Sequence, residues 1–192
     1  AAWADGEGLK SLVFATDDLN AAHRRFERVG LAPEAITARG SFRLNTERTH
    51  GVRHFVMGAH RPAATPAAVS GLDHVVVRTP DAERAAALYG ARLGLDMRLD
   101  REVRGARLMF FRCGDAVVEI IHDTAIGDGR DRLWGLSWRV LNAETQHARL
   151  AAAGFDVSDV RVGMKPGTRV FTVRSGACGV PTLMIEAAKR EA

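Results

Sequence analysis

At 192 residues, 46% of them hydrophobic, the chain is long enough to bury a core and short enough for one or two domains. No apolar run approaches the ~20 residues of a membrane helix and no signal-peptide pattern opens the chain, so a cytoplasmic protein with no membrane partner is expected. The net charge of +4 comes from arginines spread along the chain rather than from a basic stripe interleaved with rings, which argues against a nucleic-acid surface. Cys113 and Cys178 are too few for a disulfide framework or a Cys-based zinc site and read as reduced, buried thiols.

In chain order, the pattern predicts a first strand at Leu12–Thr16, an N-cap at Asp18, a helix over Leu19–Val29 and a stop at Gly30. Extended chain follows over Ala32–Phe42, and Val52–Gly58 reads as a last strand, with the strand between them short or missing. His50, His54 and His60 fall in this irregular stretch and read as surface residues. A Pro- and Ala-rich linker, Arg61–Ser70, comes next.

The second unit starts at His74-Val-Val-Val-Arg, is capped by Asp81, and runs as a helix over Ala82–Leu93 to Gly94. It continues as extended chain over Leu95–Val103 and a hairpin of Arg107–Arg112 with Ala116–Ile121 around Cys113-Gly-Asp. After a polar loop, Gly127–Arg132, the third unit repeats the plan: Gly135–Val140, cap Asn142, helix Ala143–Ala153, stop Gly154, extended Phe155–Val162, then Thr168–Val173 and Pro181–Glu186. The plan recurs at a period of roughly sixty residues, the mark of a repeated βαβββ module. The reading is α+β, with one module over 1–66 and a pair over 71–192, split as 71–124 and 132–188.

Aligned on the N-caps, Ser11, His74 and Gly135 are equivalent first-strand positions. Counting to the last strands pairs them with Val56, Glu119 and Glu186. A carboxylate inside an apolar strand is costly unless it is paired, neutralised or bound to a metal. His74, Glu119 and Glu186 are therefore candidate ligands for a divalent ion with open positions, and Glu119 or Glu186 is the candidate base, with Glu186 preferred because its half-site lacks a first-strand ligand. Trp138 and Phe111 are candidates to line the cavity, and Arg169, in Lys165-Pro-Gly-Thr-Arg, to meet an anionic substrate.

The repeat, the Leu72-Asp-His-Val-Val-Val-Arg-Thr-Pro-Asp opening, the Tyr89-Gly-Ala-Arg-Leu-Gly-Leu helix end and the Val-Val-Glu-Ile-Ile strand resemble the vicinal oxygen chelate superfamily, which includes glyoxalase I, bleomycin-resistance proteins, extradiol dioxygenases and epimerases. The resemblance is strongest over residues 71–188. It implies paired modules curled into a cup with the helices outside, and one divalent metal ion, of Fe, Mn, Zn, Ni or Co, held by His74, Glu119 and Glu186. The fourth position falls on Gly135, a departure from the four-ligand pattern. The function implied is a metal-dependent lyase, isomerase or dioxygenase acting on a small oxygenated metabolite. The alternative is a metal-free small-molecule-binding protein of the bleomycin-resistance type. Three modules in a fold that pairs them leave the first in need of a partner, an upstream unit or a second copy, and a homodimer is the simpler expectation.

Overall fold

The computed structural model describes residues 6–60 and 67–188; of the expected linker, residues 61–66 lie outside them. The first unit comprises β1 (Leu12–Thr16), α1 (Leu19–Arg28), β2 (Ser41–Arg43) and β3 (His54–Gly58). The second comprises β4 (Val69–Thr79), α2 (Ala82–Ala86, continued by a π-helical turn, Ala87–Arg92), β5 (Asp96–Val103), β6 (Ala106–Cys113) and β7 (Ala116–His122). The third holds β8 (Arg132–Val140), α3 (Ala143–Ala152), β9 (Arg161–Val162), β10 (Arg169–Val173) and β11 (Thr182–Glu186).

The expected caps form. Asp18 accepts from the Ala21 amide, Asp81 from Arg84 and Asn142 from Thr145, each satisfying one amide that a helix start leaves without a partner. Gly30, Gly94 and Gly154 end the three helical segments at φ of 72°, 78° and 85°, where other residues are strained.

Units two and three share an eight-stranded, cupped mixed sheet in the order β5-β6-β7-β4-β8-β11-β10-β9, joined where the two first strands, β4 and β8, pair antiparallel. The helices cover its outer side. There Val75, Val77, Leu88, Tyr89, Met109, Phe111 and Ile120 form the main core, each of the larger side chains contributing roughly 1.5–3 kcal/mol by burial. The first unit makes a separate three-stranded sheet, β1-β3-β2, and its Leu12, Phe26, Phe42 and Val56 enter that same core. Two arginines lock the seam: Arg25 donates to the Leu93 carbonyl at 3.1 Å, and Arg92 donates to those of Val29 and Gly30 at 3.1 and 2.7 Å. Each helical segment's free C-terminal carbonyls are thus met by the other's guanidinium.

Two local expectations fail. His54 is fully buried, stacked on Phe14 and packed against Tyr89, because strand alternation turns it toward the core. Cys178 is exposed rather than buried, on a turn at φ of 52°.

Strand register fixes which residues are equivalent. Leu12, Val75 and Leu136, all six before their N-caps, pair in parallel with His54, Val118 and Thr182. One residue further, Phe55, Glu119 and Leu183 correspond. Four beyond those partners, Gly58, His122 and Glu186 correspond. Glu186 is therefore the counterpart of His122 and not of Glu119, and Val56 is one residue past the true counterpart in the first unit.

Candidate active site

The concave side of the sheet is read from register and burial together. Val118 and Ile120 lie in the core on the helix side, so Val117, Glu119 and Ile121 face the concavity. His74 and Val76, which are opposite Val117 and Glu119, share that face, as does Ser137, opposite His74 across the β4–β8 junction. Phe110 of β6 is opposite Glu119 and completes this patch.

At its centre lies a short polar chain. The β4–β8 register skips Asp73, since Leu72 pairs with Trp138 and His74 with Ser137, and this bulge brings the Asp73 carboxylate to His74. His74 Nδ1 donates to Asp73 Oδ2 at 2.9 Å, and its Nε2 lies 3.3 Å from Glu119 Oε2. The hydrogen bond from His74 holds the Asp73 carboxyl below its ordinary range, against the opposing effect of burial. Burial raises the Glu119 carboxyl, opposed by the positive charges of His74 and Arg101.

An ionised Asp73 only accepts, so the Nδ1 nitrogen carries its hydrogen and Nε2 faces Glu119 as a second proton-binding atom. Two such acceptors approach favourably when one proton lies between them. The raised carboxyl of Glu119 and the oriented imidazole of His74 thus form an acid–base pair set into an apolar floor of Val76, Phe110 and Ile121. Ser137 Oγ, in a fully buried residue beside the pair, has no hydrogen-bond partner. The charges of Arg139 and Lys165 also act on Asp73, in the same direction as His74.

The third unit's half of the cup is different. Leu183 occupies the counterpart of Glu119, and Gly135 that of His74. A Cβ on Gly135 would stand 2.8 Å from the Pro181 carbonyl oxygen, a separation that side chains do not tolerate, so no ligand side chain fits there. Glu186 turns to the outer side, where its Oε2 accepts from the Ala143 amide at 2.7 Å at the start of α3. Among the described residues no group of three or more His, Cys, Asp and Glu converges on a common point. The donors present, His74 and Glu119 from one half only, do not fit a divalent ion held by three or four protein ligands.

The expected lining residues also lie on the outer side. Phe111 is fully buried against Tyr89, Trp138 packs on the smaller core of Val140, Leu150 and Met184, and Arg169 is opposite Glu186 and paired with Glu144 of α3. Their strand neighbours Phe110 and Ser137 take the concave positions. Asp73, missed in sequence, adjoins His74 directly; its signal was a carboxylate one residue from a strand histidine, obscured because regular alternation would point it away.

Two cavities, of about 500 and 460 Å3, lie elsewhere, one beneath the β10–β11 turn at Thr172–Pro181 and one between Leu9–Lys10, Gly51–Arg53 and Asp131–Leu133. Neither includes His74 or Glu119. The convergent titratable groups, rather than enclosed volume, mark the site.

Residues 71–181 match the model of a family described as the glyoxalase/bleomycin resistance protein/dioxygenase superfamily. No curated protein matches the chain. Among solved structures, the chain is similar to a methylmalonyl-CoA epimerase from Mycobacterium tuberculosis, with 21% identity, a TM-score of 0.55, and coverage of 66% of this chain and 93% of that one. It is also similar to a Streptomyces coelicolor methylmalonyl-CoA epimerase in complex with 2-nitronate-propionyl-CoA, at 16% identity and TM-score 0.52, covering 63% and 99%. A hypothetical protein from Bacillus halodurans C-125 is similar at 16% identity and TM-score 0.53, covering 63% and 96%.

Proposed function

The chain belongs to the glyoxalase/bleomycin resistance protein/dioxygenase superfamily, and from that premise we propose that its cup binds a small, anionic carbonyl compound and moves a proton at the carbon beside the carbonyl. The observation that carries this reading is the Asp73–His74–Glu119 chain on the concave floor. Glu119 is the base: its desolvated carboxyl has a proton affinity above that of an exposed one, as proton abstraction near neutral pH requires. His74, held through Nδ1 by Asp73, takes up or returns the proton at Nε2. Arg139 and Lys165 favour a negatively charged substrate. An epimerase moves a proton at carbon, so the neighbours' names support the class of step, and CoA thioesters head the compounds to try.

The test is proton washout in D2O, followed by NMR, over a panel of CoA thioesters, 2-oxo acids and 2-hydroxy acids. Exchange of the proton beside the carbonyl is expected for at least one member, undiminished by EDTA and lowered about 10²–10⁴-fold in Glu119→Gln. Stoichiometric divalent metal in protein purified without chelator, lost in His74→Ala and needed for the exchange, would overturn the metal-independent step. Saturable binding by wild type and Glu119→Gln alike, with no exchange by either, would favour a binding protein of the bleomycin-resistance type.

A further inference from the structure

The polar loop Gly127–Arg132 reads in sequence as solvated, yet its Asp131 is only 3% exposed. The Asp131 amide donates to the His50 carbonyl at 2.8 Å, which ties the loop to the first unit. Its Oδ1 accepts from Thr79 Oγ1 at 2.7 Å and from Arg84 Nη2 at 2.8 Å, so that oxygen is well supplied with donors and the charge is met by a guanidinium. The other oxygen is not supplied. Among the described residues Oδ2 has no hydrogen-bond partner, and neither has the hydroxyl of Tyr89, which is fully buried. The two groups belong to one neighbourhood: the Asp131 charge acts on the Tyr89 hydroxyl, and the Tyr89 ring packs against His54, whose Nδ1 donates to the Val52 carbonyl. Buried polar groups left in this way are costly unless something pairs with them.

Val52 and Asp131 also line the cavity of about 460 Å3 that lies between the first unit and the start of β8. That volume falls in the range of roughly 300–1,000 Å3 typical of small-molecule sites. Three cations, Lys10, Arg53 and Arg132, stand in its wall, while the only carboxylate there, Asp131, is already neutralised by Arg84. Leu9, Val52 and Leu133 add apolar surface. None of these residues belongs to the Asp73–His74–Glu119 chain, so this is a second site, built at the seam of the two sheets.

We infer that the seam cavity binds a small anion that carries hydroxyl groups, a polyol phosphate or a sugar acid. Its acid group meets the cationic wall of Lys10, Arg53 and Arg132. A hydroxyl goes to the Asp131 end, because one hydroxyl both donates to a carboxylate oxygen and accepts from a phenol, and so serves Asp131 Oδ2 and Tyr89 together. An ammonium group is disfavoured there, since Arg84 already meets the charge of Asp131 and the rest of the wall is positive. The bound anion touches both the first unit and β8, and therefore stabilises the seam between them.

Isothermal titration calorimetry of the whole chain with glycerol 3-phosphate and with D-glycerate is expected to show saturable binding of one or both, and which of them binds identifies the acid group. Acetate, inorganic phosphate and glycerol, each lacking one half of the chemistry, are expected to bind at least about tenfold more weakly. Tyr89→Phe removes a hydroxyl that bonds to no described protein atom, so the fold is retained, and is expected to weaken binding about 2–10-fold. Arg132→Glu, at an exposed side chain paired only with exposed Asp128, is expected to weaken it about tenfold or more. Glu119→Gln should leave the affinity unchanged, which separates this site from the cup. No saturable heat from either probe, equal affinity for acetate or inorganic phosphate, or an affinity untouched by both Tyr89→Phe and Arg132→Glu would overturn the inference.

Discussion

His74 and Glu119, and His54 and Glu186, are strand residues of the same two types set on opposite faces of the sheets. His74 and Glu119 face the concavity and meet each other at 3.3 Å. His54 and Glu186 face the helices and never meet: His54 Nδ1 donates to the Val52 carbonyl within the core, and Glu186 binds the first turn of α3. Residue type is the same on both sides, but partnership is not. On the concave face a desolvated carboxyl and an imidazole share one site and can exchange a proton. On the convex face His54 and Glu186 are each fixed singly by backbone, which makes them part of the scaffold.

The sharpest way to break this contrast is to disable the concave pair. Glu119→Gln keeps the volume and removes the base, and is expected to lower turnover of the compound found by proton washout about 10²–10⁴-fold while the chain stays folded. Equal turnover by the variant would show that the pair has no more chemistry than its counterparts on the other face.

The convex histidine should instead govern stability. Burial lowers the pKa of His54 from 6.5 to about 4, and the neighbouring His50 acts in the same direction. A group depressed in the folded state contributes fully above its unfolded pKa and loses that contribution as pH falls. His54 should therefore destabilise the fold between pH 6.5 and pH 4, by roughly 3 kcal/mol across the full interval. Urea unfolding at pH 7 and pH 4 measures this. His54→Phe should shrink the difference by that amount, and because Thr49 Oγ1 also donates to the Val52 carbonyl, the variant leaves no new unsatisfied acceptor.

How far the sequence discloses this arrangement depends on register. The caps Asp18, Asp81 and Asn142, the glycine stops and the alternating strands are local signals, so the βαβββ plan and its three copies can be read directly. The faces cannot be read so directly when strands are separated by turns of unequal length. Counting 45 residues from Ser11 lands on Val56, and the second unit's pattern extended into the third lands on Glu186. The pairings put the counterparts of Glu119 at Phe55 and Leu183, one and three residues earlier. An odd displacement turns a side chain to the opposite face. The same parity places Phe111 and Trp138 outside and their neighbours Phe110 and Ser137 inside. Asp73 escaped notice because a bulge, which composition does not announce, suspends the alternation there.

The third unit's blank half can be tested at Gly135. With 2.8 Å from a Cβ to the Pro181 carbonyl, Gly135→Ala must push β8 and β11 apart and is expected to cost about 1–3 kcal/mol. For a chain of this size that is a fall in Tm of about 2–4 °C per kcal/mol, read by calorimetry. An unchanged Tm would mean that the strands yield easily, and that the absence of a histidine there has no steric cause.

The smallest effect expected is at Glu186. Its carboxylate accepts from the Ala143 amide at 2.7 Å, next to Asn142, which accepts from Thr145, so two acceptors serve the first turn of α3. Glu186→Gln retains an acceptor oxygen but loses the negative charge at the helix N-terminus, a change of about 0.3–1 kcal/mol. The stability loss should be seen in urea at low salt and should diminish at high salt, with turnover of the substrate unchanged. Full stability together with lost turnover would reverse the division between the faces, because it would return the proton-transfer role to a glutamate that the strand register turns toward α3.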